Sequence, residues 1–168
     1  LKTNLANTSG AVTMGGGVGI ALPAKFRVAT PNTLFAMPEG AIGLFTDVGA
    51  GHYLPRLPGQ TGKFMALTGA RLDGAECLWA GLATHYLAAE HLAQAKARIV
   101  AGEEPGAVLD ALSEPDLLPP RLAGNAAKID RLFAPDTLEG IIAALEADGS
   151  DWAAKELKAL RGKAPLAS

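Results

Sequence analysis

The stretch Met14-Gly15-Gly16-Gly17-Val18-Gly19 decides the fold when it is read with the segment Met37-Pro38-Glu39-Gly40-Ala41-Ile42-Gly43-Leu44-Phe45-Thr46-Asp47-Val48-Gly49. Three adjacent glycines cost conformational entropy that alanines would not, so side chains are excluded there for a reason. One reason is close approach of a ligand to main-chain N–H groups at a helix start, where the helix dipole also favours negative charge. The other is tight packing of a strand against a helix. In the second segment Glu39 follows Pro38, and Asp47 stands eight positions on. Loop acids commonly cap neighbouring turns. A glutamate between Met37, Ala41 and Ile42 is also expected to be partly desolvated, which suits an acid or base working near neutrality. Together the segments describe a place where a carbonyl oxygen gains charge beside a working carboxylate.

Outward from these segments, Val12 and Met14 alternate like a strand end running into Gly15. Ile20, Ala21 and Leu22 read as a short helix stopped by Pro23. Phe26, Val28 and Leu34-Phe35 predict short strands around a Pro31-Asn32 turn. Residues 1–10 are polar and weakly patterned. Residues 37–51 read as a loop, and Leu54 to Gly59 as an irregular connection.

Helices dominate from about Gly62. Phe64 and Leu67 share a face, with Gly69 as the stop. Ala75, Leu78, Trp79 and Leu82 form an apolar stripe, as do Leu92, Ala95 and Ile99 ahead of Gly102. Residues 105–120 read as a surface excursion with one short helix. Asp136 and Glu139 predict a capping box for a helix that buries Leu138, Ile141, Ile142 and Leu145 and ends at Gly149. Ser150 caps a last helix with Ala153, Leu157 and Leu160 inward.

The 168 residues are 49% hydrophobic and 19% charged, which excludes a disordered chain and predicts one domain with a sizeable core. Net charge is −2 with no basic run, arguing against nucleic acid or a membrane surface as partner. The single cysteine, Cys77, forms no internal disulfide and, with His52, His85 and His91 scattered, no zinc site. His91 reads as solvated, His85 as structural, and Cys77 and Trp79 as core fillers. No apolar run approaches the roughly 18 residues of a membrane span. Phosphate-loop patterns fail: Leu22 replaces the third glycine of a dinucleotide fingerprint, and Phe64 replaces the Ser/Thr after Gly62-Lys63.

Taken together, Thr13–Gly19, Phe26–Thr30, Phe35–Glu39, Ile42–Phe45, Asp47–Gly49, Tyr53–Leu57, Leu67–Gly69 and Gly81–His85 resemble the crotonase (enoyl-CoA hydratase/isomerase) superfamily. Within it they are most similar to the 3-hydroxyisobutyryl-CoA hydrolase branch. The resemblance implies an α/β fold: a crotonase-type ββα spiral core, N-terminally truncated here, followed by a helical C-terminal region. It divides the chain into residues 1–87, carrying the glycine turn and catalytic loop, and residues 88–168.

By the same resemblance Glu39 is the catalytic carboxylate and Asp47 its partner. Gly16, within Gly15–Gly17, donates one N–H to the thioester oxyanion, a class of donor worth a few kcal/mol. Enoyl-CoA hydratases carry a second glutamate just after the triple glycine, where this chain has Gly19, so an isomerase stands ahead of a hydratase as the alternative. A non-catalytic acyl-CoA-binding protein is the third reading. Acyl-CoA is the expected partner, and CoA is part of the substrate. No metal or redox cofactor, nucleic acid or membrane is expected. A trimer, and a bacterial cytoplasm or eukaryotic mitochondrial matrix, follow by analogy only. The second oxyanion donor and most CoA contacts are expected upstream, so this chain alone is expected to be inactive.

Overall fold

Gly and Pro punctuate the N-terminal part so closely that only short elements fit between them. In the computed structural model, which describes residues 5–7, 12–14, 16–42, 44–47, 49–114 and 119–163, β1 (Leu5–Asn7) and β2 (Val12–Met14) precede α1 (Gly16–Ala21). β3 (Phe26–Ala29) and β4 (Leu34–Ala36) flank the expected turn, which Thr30 and Thr33 close: Thr33 N–H donates to Thr30 O at 3.0 Å, and Thr30 N–H to Thr33 Oγ1 at 2.9 Å. β1 arises in the stretch whose polar sequence carried no strand signal.

The chain divides into two packing units, Leu1–Phe35 with Leu72–Ala123, and Ala36–Arg71 with Gly124–Ser168. The 87/88 boundary drawn from the sequence falls inside the first of them.

Among the described residues the first unit holds two three-stranded sheets. One is parallel, in the order β1-β3-β6, where β6 is His85–Tyr86; Leu5 pairs with Phe26, and Val28 with His85. The other has the order β2-β4-β5, where β5 is Leu72–Asp73, and its β4–β5 pair is antiparallel with Phe35 opposite Leu72. Parallel neighbours need crossovers; α4 (Gly74–Trp79) lies between β3 and β6 in sequence.

The helical hairpin of α5 (His91–Val100) and α6 (Pro105–Leu112) closes this unit's core. Val28, Leu87, Ala95, Val108 and Leu109 are buried there, and Phe26, Leu92, Ile99 and Leu112 pack against them. The spacing of Leu92, Ala95 and Ile99 was therefore informative. The surface reading of residues 105–120 was not, because Val108 and Leu109 on α6 are fully buried.

A second correction concerns α4. Its buried residues are Gly74, Glu76 and Cys77, whereas Ala75, Leu78 and Trp79 are only half-buried and Leu82 lies beyond the helix end. The cause is a capping box: Asp73 accepts from Glu76 N–H at 2.8 Å, and Glu76 accepts from Asp73 N–H at 3.0 Å. That exchange turns a carboxylate inward on a face that hydropathy alone assigns to solvent.

In the second unit, residues 37–51 are not wholly irregular: they contain a 3-10 turn, Glu39–Ile42, and the start of α2 (Ala50–Tyr53). A further 3-10 turn, Leu54–Arg56, leads to α3 (Thr61–Thr68). α3 ends at Gly69, in the left-handed conformation (φ 66°), as expected. Its inward face is Phe64, Met65 and Thr68, with Leu67 half-buried. Gly62 is an obligatory close approach, since a β-carbon there would stand 1.9 Å from Leu54 O.

α7 (Arg121–Leu132), α8 (Leu138–Asp148) and α9 (Asp151–Arg161) follow. Phe64 meets Phe133 edge-on, with ring centroids 5.2 Å apart, and stacks on Trp152 at 5.9 Å. The N-cap of α8 is Thr137, which accepts from Gly140 N–H at 3.1 Å, and not the expected Asp136, because the helix starts one residue later. Ile141 and Leu145 are buried, while Leu138 and Ile142 are half-buried. Gly149 (φ 66°) and Ser150 make the corner into α9, as read from sequence. At that corner the Ser150 hydroxyl and then Arg131 hold the Asp148 carboxyl down at about 2.

Candidate active site

Glu39 opens the 3-10 turn that Pro38 sets up: Pro38 O accepts from Ala41 N–H at 2.9 Å, and Glu39 O from Leu44 N–H at 3.1 Å. The side chain points inward and is 8% exposed, and among the described residues neither carboxylate oxygen has a hydrogen-bond partner. Buried carboxylates without donors are costly and uncommon in folded proteins. The expected apolar wrapping comes only from Met37, which is fully buried; Ala41 is exposed and Ile42 is 72% exposed. The turn's own sequence neighbours therefore do not provide the burial.

Asp47 is in the same unit but on the solvent side. Its carbonyl accepts from Ala50 N–H at 2.8 Å, which starts α2, and its side chain is exposed. Among the described residues no hydrogen bond or ion pair joins it to Glu39. Between the two acids the loop presents Leu44 and Phe45 to solvent, Phe45 at 82%.

The glycines belong to the first unit. Gly16 begins α1 and Gly17 is exposed in its first turn, where N–H groups have no intrahelical acceptor; Gly15 lies outside the described residues. Gly19, where a hydratase-type glutamate was sought, is half-buried inside α1.

His85 is held as a structural residue. Its Nδ1 is 2.8 Å from Thr84 Oγ1, its Nε2 is 3.1 Å from Asp110 Oδ1, and its side chain is 12% exposed. His91 is not simply solvated: it is half-buried, and its Nδ1 is sealed with no partner among the described residues. Among the described residues no group of three or more His, Cys, Asp or Glu side chains is placed to hold a metal ion. No helix among them is long and apolar enough to cross a membrane.

Sequence reading missed the role of Glu76. It is 1% exposed, and besides Asp73 N–H its carboxylate accepts from Leu122 N–H at 3.1 Å and from Arg121 Nε at 3.1 Å and Nη2 at 3.2 Å. The Asp73-to-Glu76 spacing is itself a capping-box signal and could have located it. Cys77, beside it, borders an apolar cleft formed with Leu22, Ala29, Phe35, Leu82 and Ala83. Burial first, then the charges of Asp73 and Glu76, push its thiol up to about 12. The thiolate is the reactive form. Cys77 in the folded protein is therefore expected to resist a disulfide reagent at pH 7 and to react fully in denaturant; rapid native labelling would show that the thiol is open.

Over residues 2–168 the chain matches the family described as enoyl-CoA hydratase/isomerase. It is 45% identical over 163 residues to the mitochondrial 3-hydroxyisobutyryl-CoA hydrolase of Xenopus laevis, covering 92% of this chain and 42% of that protein. Among solved structures it resembles a carnitinyl-CoA dehydratase from Mycobacterium thermoresistibile, with TM-score 0.88 and 33% identity, covering 97% of this chain and 46% of that one. It also resembles an enoyl-CoA hydratase from Rhodobacter sphaeroides, with TM-score 0.79 and 40% identity, covering 94% and 44% respectively. The chain thus spans less than half the length of these relatives.

Proposed function

The chain belongs to the enoyl-CoA hydratase/isomerase family and has its crotonase-type fold, and from that premise we propose that the protein carrying it hydrolyses a β-hydroxyacyl-CoA thioester, 3-hydroxyisobutyryl-CoA first among them. The observation that carries this reading is the buried Glu39 carboxylate, both of whose oxygens are unpartnered among the described residues. A buried carboxylate with no donor among the described residues is free for a reacting group.

In the proposed reaction the thioester oxygen gains negative charge against the Gly16 N–H, in the turn Gly15–Gly17, together with a second main-chain donor. Glu39 either attacks the thioester carbon, expelling CoA as thiolate and leaving a mixed anhydride for water to open, or takes a proton from the water that attacks. Thiolate leaves readily, so neither route needs a metal or redox group. Asp47, exposed on the same loop, orients the substrate hydroxyl and the water. The absence of an acid at Gly19 supports hydrolysis over hydration, which uses two carboxylates.

The alternative is double-bond hydration or isomerisation: hydration draws support from the names of the two solved structures, isomerisation from the family description alone. By analogy with the family the protein works as an oligomer, a trimer first of all. Its compartment is the mitochondrial matrix in a eukaryote and the cytoplasm in a bacterium.

A thiol-release assay over a panel of acyl-CoAs tests the reading. Rapid release from 3-hydroxyisobutyryl-CoA, with little from saturated chains lacking the hydroxyl, is the expected pattern. Conversion of an enoyl-CoA without free thiol would instead identify a hydratase or isomerase. Binding without turnover of any member would identify a carrier.

A further inference from the structure

Lys163 follows the end of α9, with its N–H donating to Leu160 O at 3.1 Å, and its half-buried side chain crosses to the Glu39 turn. A β-carbon on Gly40, the residue after Glu39, would lie 3.6 Å from Lys163 Cδ and 4.0 Å from its Cγ and from Ala66 O. The methylene stem therefore lies over the side of the turn that Gly40 leaves without a side chain. At its far end the ammonium reaches the close of α3: a β-carbon on Gly69 would stand 3.0 Å from Nζ, with Met37 O at 3.6 Å and the Pro38 α-carbon at 3.8 Å next nearest. The ammonium makes no hydrogen bond or ion pair among the described residues. It lies at the C-terminal end of α3, where the helix dipole favours a positive charge.

The two glycines thus form a groove whose floor is the backbone flanking Glu39 and whose filling is one lysine stem from a distant helix. All of these residues belong to one unit. Lysine stems commonly cover apolar surface in this way while the charged head stays hydrated.

We propose that Lys163 is a positioning residue for Glu39: its stem clamps the 3-10 turn Glu39–Ile42 against the end of α3 and fixes the direction of the carboxylate. The proposal rests on Glu39 being the reacting carboxylate. Small displacements of a reacting group cost rate more than binding.

The test compares Lys163→Ala, which removes the stem, with Lys163→Met, which keeps its length without the charge, in the protein carrying this chain. Two readouts are taken, kinetics on the best acyl-CoA of the panel and amide exchange over residues 37–45. Lys163→Ala is expected to lower kcat roughly tenfold to a hundredfold with KM within about twofold. It should also speed exchange at the Ala41 and Leu44 amides, which donate to Pro38 O and Glu39 O, while exchange in α8 stays unchanged. Lys163→Met is expected to restore both.

Unchanged exchange at those two amides in Lys163→Ala would overturn the clamp, whatever the enzyme does. Lys163→Met behaving like Lys163→Ala would overturn the role of the stem. Faster exchange together with a panel that releases no thiol from any acyl-CoA would leave the clamp standing and remove the hydrolase reading instead.

Discussion

Glu39→Gln in the protein carrying this chain is expected to lower thioester hydrolysis by roughly 10²–10⁴-fold, the range that a positioned acid or base contributes. Glutamine keeps the length and most of the shape of glutamate, but its amide can neither take a proton from water nor attack a thioester carbon. At 1.36 kcal/mol per decade the loss is about 3–5 kcal/mol of transition-state stabilisation.

The same position should behave in the opposite sense for stability. A carboxylate that is 8% exposed, with both oxygens lacking donors among the described residues, costs the fold something on the order of 1–3 kcal/mol. Glu39→Met, similar in length and apolar, is therefore expected to raise the unfolding free energy while abolishing turnover. Paired gain and loss is what a group kept for chemistry produces. Denaturant titration alongside the thiol assay checks both halves. A Glu39→Met protein that is less stable than the parent, or a Glu39→Gln protein hydrolysing at the parent rate, would refute the assignment.

The second large effect belongs to Glu76. Glu76→Ala is expected to destabilise the chain by about 3 kcal/mol or more, from three sources. Leu122 N–H, at the start of α7, loses a buried acceptor; α4 loses half of its capping box, worth about 1 kcal/mol; and a cavity opens in a well-packed place. The Arg121 contact adds less than its geometry promises, because that side chain is 67% exposed and the attraction is screened by solvent. Glu76→Gln should fall between, since it preserves volume but loses the charge-assisted bonds. Urea unfolding measures all of this, and a loss below about 0.5 kcal/mol for Glu76→Ala would mean that the cluster is no stronger than a surface ion pair.

These two glutamates also mark where sequence was and was not legible. Local chemistry read true where the signal is local: Gly69 and Gly149 as left-handed stops, Ser150 as a cap, and Phe26 and Leu34 as strand residues around a turn. The glycine run and Glu39 pointed to a family whose match extends over nearly the whole chain. What failed depended on tertiary context. The α4 stripe left out Glu76, the charged residue that the buried capping box holds inside, and its own Ala75, Leu78 and Trp79 are only half-buried. Residues 105–120 looked polar and Pro-broken, yet Val108 and Leu109 complete a core built from strand and helix residues far upstream. Glu39 is buried although Ala41 and Ile42 beside it are exposed, and the stem over its turn comes from Lys163, which no local pattern could announce.

Cys77 has a practical consequence. It is the chain's sole sulfhydryl, adjacent to Glu76 and enclosed in the first unit. Its modification rate therefore works as a stopwatch for openings of that unit alone, while Trp152 fluorescence, read with Trp79 of the first unit replaced by phenylalanine, follows the other. One preparation with two colours of signal can establish whether the units melt in step or one ahead of the other. In Glu76 variants the chemical clock should run fast before the optical one moves.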